Sequence, residues 1–242
     1  MPVINSHQNA RLRQVRTLLN RKRERTRTGL FVAEGEDLVA AATAAAWPAE
    51  DVLVAAGHDL EGTQVDPDLL VGASLLGSGT RALGIYRQRW LERPVGPRCL
   101  HLHGLKDPGN VGTAIRAAHA LGASCVSIGP DTADPYAPKA VRASMGSIFA
   151  VPLARAAGAE ELPGTTVALV LRAGEVLRSD LVDQVTDGLS LLVGAEREGL
   201  PADVVAACDR TAHLPIAGAE SLNAAMAATV ALYELARATT DA

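Results

Sequence analysis

The sequence predicts an α/β protein in two parts: a small α/β domain, then a larger one built on a mostly parallel sheet. Three observations carry this. From Cys99 onward, short apolar runs alternate with helical or loop segments, the βαβ alternation of a parallel sheet. Residues 91–98, LERPVGPR, place two prolines and a glycine between patterned segments and mark a boundary. A content of 48% hydrophobic and 21% charged residues over 242 positions suits a folded chain with a sizeable core. The expected division is residues 1–93, a linker at 94–98, and a second domain over 99–242.

The first domain opens on charge. Residues 1–30 hold Arg11, Arg13, Arg16, Arg21, Lys22, Arg23, Arg25 and Arg27 against one acid, Glu24, although the whole chain has a net charge of -4. Such a localised basic run is an electrostatic footprint for a polyanion, with a phosphate backbone the first candidate. Leu12, Val15, Leu18 and Leu19 recur at helical spacing in the same stretch, so the arginines belong to the outer face of an amphipathic helix. Leu30-Phe31-Val32 reads as a strand, Glu36 to Ala46 as a helix stopped by Trp47-Pro48, and Val52 to Ala55 as the next strand. Short helical and apolar pieces at 66–76 lead to a strand at Leu83 to Tyr86. Gly77 to Ala82 fits the G-x-G-x-x-G/A dinucleotide pattern, but a strand follows it where a long helix is required. It is read as a flexible turn whose Arg81 can touch a phosphate.

In the second domain, Cys99 to Leu105 is a strand with His101 and His103 on one face; no third ligand completes a metal site, so none is expected. Asp107-Pro108-Gly109-Asn110 is turn chemistry before a helix carrying Arg116, with Asn110 as a candidate cap. Strands are expected at 125–129, 149–153, 167–171, 189–193 and 211–214, with a polar loop and short helix holding Lys139 and Arg142 after the first of them. Two of these strands end in loops whose polar groups neither a core nor a surface requires. Leu189 to Val193 runs into Gly194-Ala195-Glu196 and Gly199; Leu214-Pro215-Ile216 runs into Gly218, Ser221 and Asn223. Both lie at the carboxyl end of a parallel sheet, where open α/β proteins bind ligands. Three widely spaced cysteines, Cys99, Cys125 and Cys208, read as reduced buried thiols. No apolar run approaches the roughly 20 residues of a spanning helix, and the N-terminus lacks a signal-peptide pattern, so a cytoplasmic location away from membranes is expected.

Three segments match one pattern together. N-x-G-x-x-x-R at Asn110, Gly112 and Arg116, G-x-E-x-x-G at Gly194, Glu196 and Gly199, and Leu214-Pro215-Ile216 with Ser221-Leu222-Asn223 resemble the three motifs of the SpoU-type RNA ribose methyltransferases. Residues 138–146, PKAVRASMG, are also similar, and the first 90 residues resemble the ribosomal-protein-like RNA-binding domain that many members carry. The chain departs from the pattern between Gly218 and Ser221, where it has two residues, Ala219 and Glu220, in place of the usual three.

The resemblance implies a trefoil-knotted catalytic domain of the SPOUT superfamily, S-adenosylmethionine as cofactor, and a homodimer with Ala224 to Leu235 as the interface helix. It implies cofactor contacts at Gly194, Leu214, Ile216, Leu222 and Asn223. Arg116 is then the catalytic residue, surrounded by Asn110, Glu196, Ser221 and Asn223. RNA contacts are expected from Arg11, Arg13, Arg16, Arg21, Lys22, Arg23, Arg81, Lys139 and Arg142. The expected substrate is structured RNA, ribosomal before transfer, and no metal is required. A knotted transfer-RNA enzyme that methylates a ribose or a base nitrogen, and a non-catalytic RNA-binding factor with the same fold, are the alternatives. Because an arginine pKa lies above about 12, Arg116 suits phosphate binding and alkoxide stabilisation better than proton abstraction. With aromatics at 3% of the chain, RNA binding should be led by arginine and sensitive to salt.

Overall fold

The structure is a computed structural model that describes residues 3–77, 79–181, 184–185, 187–218 and 221–237. It divides into two compact units, Met1–Gln88 with Asp134–Phe149, and Arg89–Ala133 with Ala150–Ala242. Ala219, Glu220 and Ser78, on which parts of the sequence reading rest, lie outside the described residues.

In the first unit, α1 (Ala10–Asn20) starts where the Asn9 side chain accepts the Arg11 amide at 2.9 Å. It buries Leu12, Val15, Leu18 and Leu19, each contributing about 1.5–3 kcal/mol by leaving water. Helix α2 (Lys22–Thr28) stops at Gly29, whose φ of 65° supplies the left-handed turn. Strand β1 (Leu30–Glu34), α3 (Glu36–Ala44), β2 (Ala49–Ala55), β3 (Thr63–Val65), α4 (Pro67–Val71) and β4 (Ala82–Arg87) follow. The sheet order is β1-β4-β2-β3, with β4 antiparallel to both neighbours and β2 parallel to β3. The three-residue β3 was not foreseen, being too short to show alternation.

The second unit begins with β5 (Arg98–Leu102), α5 (Pro108–Ala120) and β6 (Cys125–Ile128). The chain then turns back into the first unit at Asp134–Phe149, which contains α6 (Pro138–Ala143). By its contacts the segment 134–149, which lies inside the expected domain over 99–242, thus packs with the first unit, and the cause lies in particular side chains. Tyr136 and Phe149 join Phe31, Tyr86 and Trp47 in one aromatic cluster with ring centroids 4.7 Å (Phe31–Tyr136) to 5.8 Å (Phe31–Tyr86) apart; burial pushes the Tyr86 phenol up to about 12. Asp134 pairs with buried Arg25 at 2.8 Å, and Arg142 meets Glu34 at 2.7 Å. The strand expected at 149–153 starts later for the same reason, since Phe149 belongs to this cluster in a 3-10 turn at Ser147–Phe149.

The chain resumes in the second unit with β7 (Leu153–Arg155), β8 (Thr165–Leu169), β9 (Glu175–Val176), β10 (Leu189–Val193), α7 (Ala202–Ala206), β11 (Arg210–His213) and α8 (Ala224–Arg237). The sheet order is β7-β6-β5-β10-β8-β11-β9, and every recorded pairing is parallel. All five residues of β10 are buried between β5 and β8, which is why four of the five are apolar; the fifth, Ser190, donates its hydroxyl to the Pro163 carbonyl at 2.5 Å. Cys99 and Cys125 sit opposite each other on β5 and β6 as free buried thiols. Among the described residues no helix is long and apolar enough to cross a membrane.

Candidate active site

In a parallel sheet all carboxyl ends share one edge, and at the ends of β8, β10 and β11 that edge opens into a cavity of about 530 Å³. Its walls are Leu169 to Leu171, the loop Val193 to Leu200, Leu214 and Ile216, and the approach to α8 at Ser221, Leu222, Ala224 and Ala227. The volume falls within the usual range for small-molecule sites. Gly194, Leu214, Ile216, Leu222, Glu196 and Ser221 thus stand on one cavity. Leu169 to Leu171 were not singled out beforehand; their signal was the end of an apolar strand at the ligand edge.

The loop after β10 is shaped by two glycines. A side chain on Gly194 would lie 2.2 Å from the Gly199 carbonyl carbon, so the backbone can close only without one. Gly199 takes φ +69° and exchanges hydrogen bonds with Ala195, its amide donating at 3.0 Å and its carbonyl accepting at 3.1 Å. This holds Glu196 at the tip of a closed turn.

The residues expected from three separate motifs meet in one hydrogen-bond chain. Asn110 Nδ2 donates to Glu196 Oε1, and Asn223 Nδ2 donates to Asn110 Oδ1 at 3.1 Å. Asn223 Oδ1 then accepts the amides of Ala225 at 3.0 Å and Met226 at 3.3 Å, capping α8. The chain of donors fixes both amide orientations: a carboxylate only accepts, so Asn110 must turn its nitrogen to Glu196 and its oxygen to Asn223. The partner of Glu196 is thus an uncharged side chain, that of Asn110. Asn110 is not the helix cap. Asp107 caps α5, accepting the Gly109 amide at 2.7 Å with Pro108 in the first turn, and Asn110 is thereby freed for the site.

Arg116 lies apart from this group. It is exposed on α5, outside the cavity lining, and makes no ion pair with the described residues. His101 and His103 are not part of it. His101 is fully buried, with Nδ1 3.0 Å from Ser127 Oγ and Nε2 3.5 Å from His103 Nδ1. Burial, aided by the neighbouring His103, lowers the His101 pKa to about 4, and burial lowers that of His103.

The cations expected to touch RNA divide into two classes. Arg13, Arg21, Lys22, Arg23 and Lys139 are exposed, and Arg16 is half-buried with Nη1 donating to the His7 carbonyl at 3.2 Å. Arg11 pairs with Asp51 at 3.3 Å and Arg81 with Glu36 at 3.2 Å, both at the surface. Arg142, whose side chain is 32% exposed, meets Glu34, whose side chain is 1% exposed, at 2.7 Å, and so also neutralises a buried acid of the first unit.

The sequence matches the SpoU rRNA Methylase family over residues 97–233 and the MRM3-like substrate binding domain over 9–75. It is 34% identical to the 23S rRNA (uridine(2479)-2'-O)-methyltransferase of Streptomyces viridochromogenes, across 95% of this chain and 90% of that one. With the 23S rRNA (guanosine(2553)-2'-O)-methyltransferase RlmP of Bacillus subtilis (strain 168) the identity is 29%, over 90% and 92% of the two chains. Among solved structures, the AdoMet-bound rRNA methyltransferase from Sinorhizobium meliloti superposes with a TM-score of 0.85 at 30% identity, covering 98% of this chain and 97% of that one. The SpoU methyltransferase AviRb from Streptomyces viridochromogenes in complex with AdoMet gives 0.80 at 29% identity, covering 96% and 99%.

Proposed function

The chain belongs to the SpoU rRNA methylase family, and from that premise we propose that it transfers a methyl group from S-adenosylmethionine to a ribose 2'-hydroxyl of ribosomal RNA. The observation that carries this is the chain Glu196–Asn110–Asn223, which ties three distant segments together at the wall of the cavity. The cavity suits the cofactor: apolar strand ends offer a bed for a purine, and the backbone of the Gly194 and Leu214 loops offers amide and carbonyl groups to its edge. Bound there, S-adenosylmethionine supplies an electrophilic methyl group.

The protein's own task is alignment, since an in-line displacement needs three atoms in register and effective molarity supplies much of the rate. Glu196 holds Asn110, Asn110 holds Asn223, and Asn223 holds the first turn of α8, so the cavity wall is pre-organised. Arg116, solvent-facing and without an ion pair among the described residues, is available to bind a substrate phosphate and to stabilise charge developing on the 2'-oxygen. In this role it moves no proton, and the 2'-hydroxyl proton leaves through water. Arg116→Lys checks the planar role: methyl transfer should fall, and full activity across a pH series would contradict it.

The active form is a homodimer through α8. One face of this helix is buried at Ala224, Ala228, Ala231 and Leu235, while Met226, Val230 and Tyr233 are exposed at helical spacing. Sedimentation should give a dimer, and Val230→Glu should shift it to monomer. The exposed cations Arg13, Arg21, Lys22 and Arg23 form the RNA footprint. A ribosomal RNA substrate fits the expected cytoplasmic location.

A further inference from the structure

The ligand edge of the parallel sheet carries a second recess, at the carboxyl ends of β6 and β7. It is shallow and open, about 260 Å³, with Gly129 and Pro130 along one side, Arg155, Ala156 and Ala157 along another, and the exposed Glu161 at its rim. Arg155, the last residue of β7, is exposed and lays its guanidinium over the Trp90 indole, 4.0 Å from the ring centroid. It makes no ion pair with the described residues. Trp90 is held in place by its neighbour, since the Leu91 amide donates to the Leu153 carbonyl of β7 at 2.8 Å. Glu161 Oε2 accepts the Ala157 amide at 3.0 Å, and its Oε1 has no hydrogen bond from a described residue.

Aromatic rings are scarce in this chain: two Trp, three Tyr and two Phe. Phe31, Trp47, Tyr86, Tyr136 and Phe149 are spent on the core of the first unit, and Tyr233 lies on α8. Trp90 lies outside that core, and it carries a flat cation on its face. A guanidinium stacked on an indole is a rigid platform on which a nucleobase can lie in turn.

The place of the platform is as informative as its chemistry. From β10, which ends at the cofactor cavity, the sheet runs through β5 and β6 to β7, all parallel. At about 4.8 Å per strand, three steps span about 14 Å along the edge, roughly two nucleotides of an unstacked single strand. The exposed Lys106 follows β5 in between. A carboxylate in the recess would repel a phosphate but can accept from the exocyclic amine of a base.

Resting on the methyltransferase reading, we propose that Arg155, Trp90 and Glu161 form a subsite for an unpaired nucleobase flanking the methylated nucleotide. The base lies on the Arg155 guanidinium plane, and Glu161 selects one with an exocyclic amine over uracil.

In-vitro-transcribed large-subunit ribosomal RNA is the probe, with the full-length protein. Arg155→Ala should raise KM for RNA about tenfold, weaken direct RNA binding by a similar factor, and leave kcat and S-adenosylmethionine affinity within twofold. Arg155→Lys keeps the charge but not the flat face, and should show most of the same defect. Trp90→Leu removes the support beneath the guanidinium and should weaken RNA binding in the same direction. Unchanged RNA affinity in Arg155→Ala, or full rescue in Arg155→Lys, would overturn the subsite. A wild-type protein that binds RNA yet transfers no methyl group would contradict the methyltransferase reading instead, and the direct binding comparison would still judge the subsite.

Discussion

Glu34 in the first unit and Glu196 in the second are both loop-facing acids with hydrogen-bonded partners, yet their surroundings are opposite. Glu34 is sealed: Arg142, Ser74 and the Leu75 amide donate to it, and its side chain is 1% exposed. Glu196 stands half-buried on a cavity wall and receives an uncharged amide from Asn110. A sealed acid must be matched by charge, so its partners belong to stability. An acid beside open space can be met by a weaker donor, and its partner is then free to serve geometry at the site.

The sharpest way to break this contrast is to remove one partner on the sealed side. Arg142→Ala would strand Glu34 in the first unit and should cost about 3–5 kcal/mol, read as a lower midpoint in urea unfolding, with S-adenosylmethionine affinity kept at low denaturant. A small stability change there would erase the distinction.

The second unit has its own sealed polar group in His101, and pH tests it. Its folded pKa of about 4 lies below the ordinary 6.5, so the fold favours the neutral ring. Above pH 6.5 neither state is protonated and nothing is lost. As pH falls from 6.5 toward 4, the unfolded chain takes up a proton first, and stability should drop by about 3 kcal/mol. His101→Gln should flatten that part of the pH profile; an identical profile in the variant would contradict the assignment.

On the open side, Asn110→Ala should leave the unfolding midpoint nearly unchanged while methyl transfer falls about 10²-fold, the scale of a small misalignment at a reacting centre. A large stability loss with little loss of rate would reverse the roles given to Glu34 and Glu196. The smallest effect concerns the basic surface. Arg13→Gln and Lys22→Gln should each reduce the salt dependence of RNA binding by about one unit of slope. Point substitutions are the right tool, because deleting residues 1–27 would also remove Leu12, Val15, Leu18, Leu19 and the buried Arg25 from the core.

The sequence made β10 and α8 legible because each has a strong local pattern: a short, mostly apolar run in one, small and apolar residues at helical spacing in the other. Asn110, Glu196 and Asn223 are grouped as members of one site through the resemblance of their three motifs to one family. How they touch was not legible, since Asp107 and Asn110 are both acceptable caps and only the fold shows which one caps α5. The return of Asp134–Phe149 to the first unit was hidden for a related reason. Arg25 and Arg142 look like surface cations in a linear chain, and their partners, half-buried Asp134 and buried Glu34, lie more than a hundred residues away. Long-range charge pairing leaves no periodic trace.

The most direct test is transfer of labelled methyl from S-adenosylmethionine to in-vitro-transcribed large-subunit ribosomal RNA, followed by alkaline hydrolysis and mapping. A 2'-O-methyl group blocks cleavage at its own linkage, so the label should appear in one alkali-resistant dinucleotide, and Asn110→Ala should remove most of it. Label recovered in an alkali-sensitive nucleotide, or no label from a protein that binds the cofactor, would contradict ribose methylation at this site.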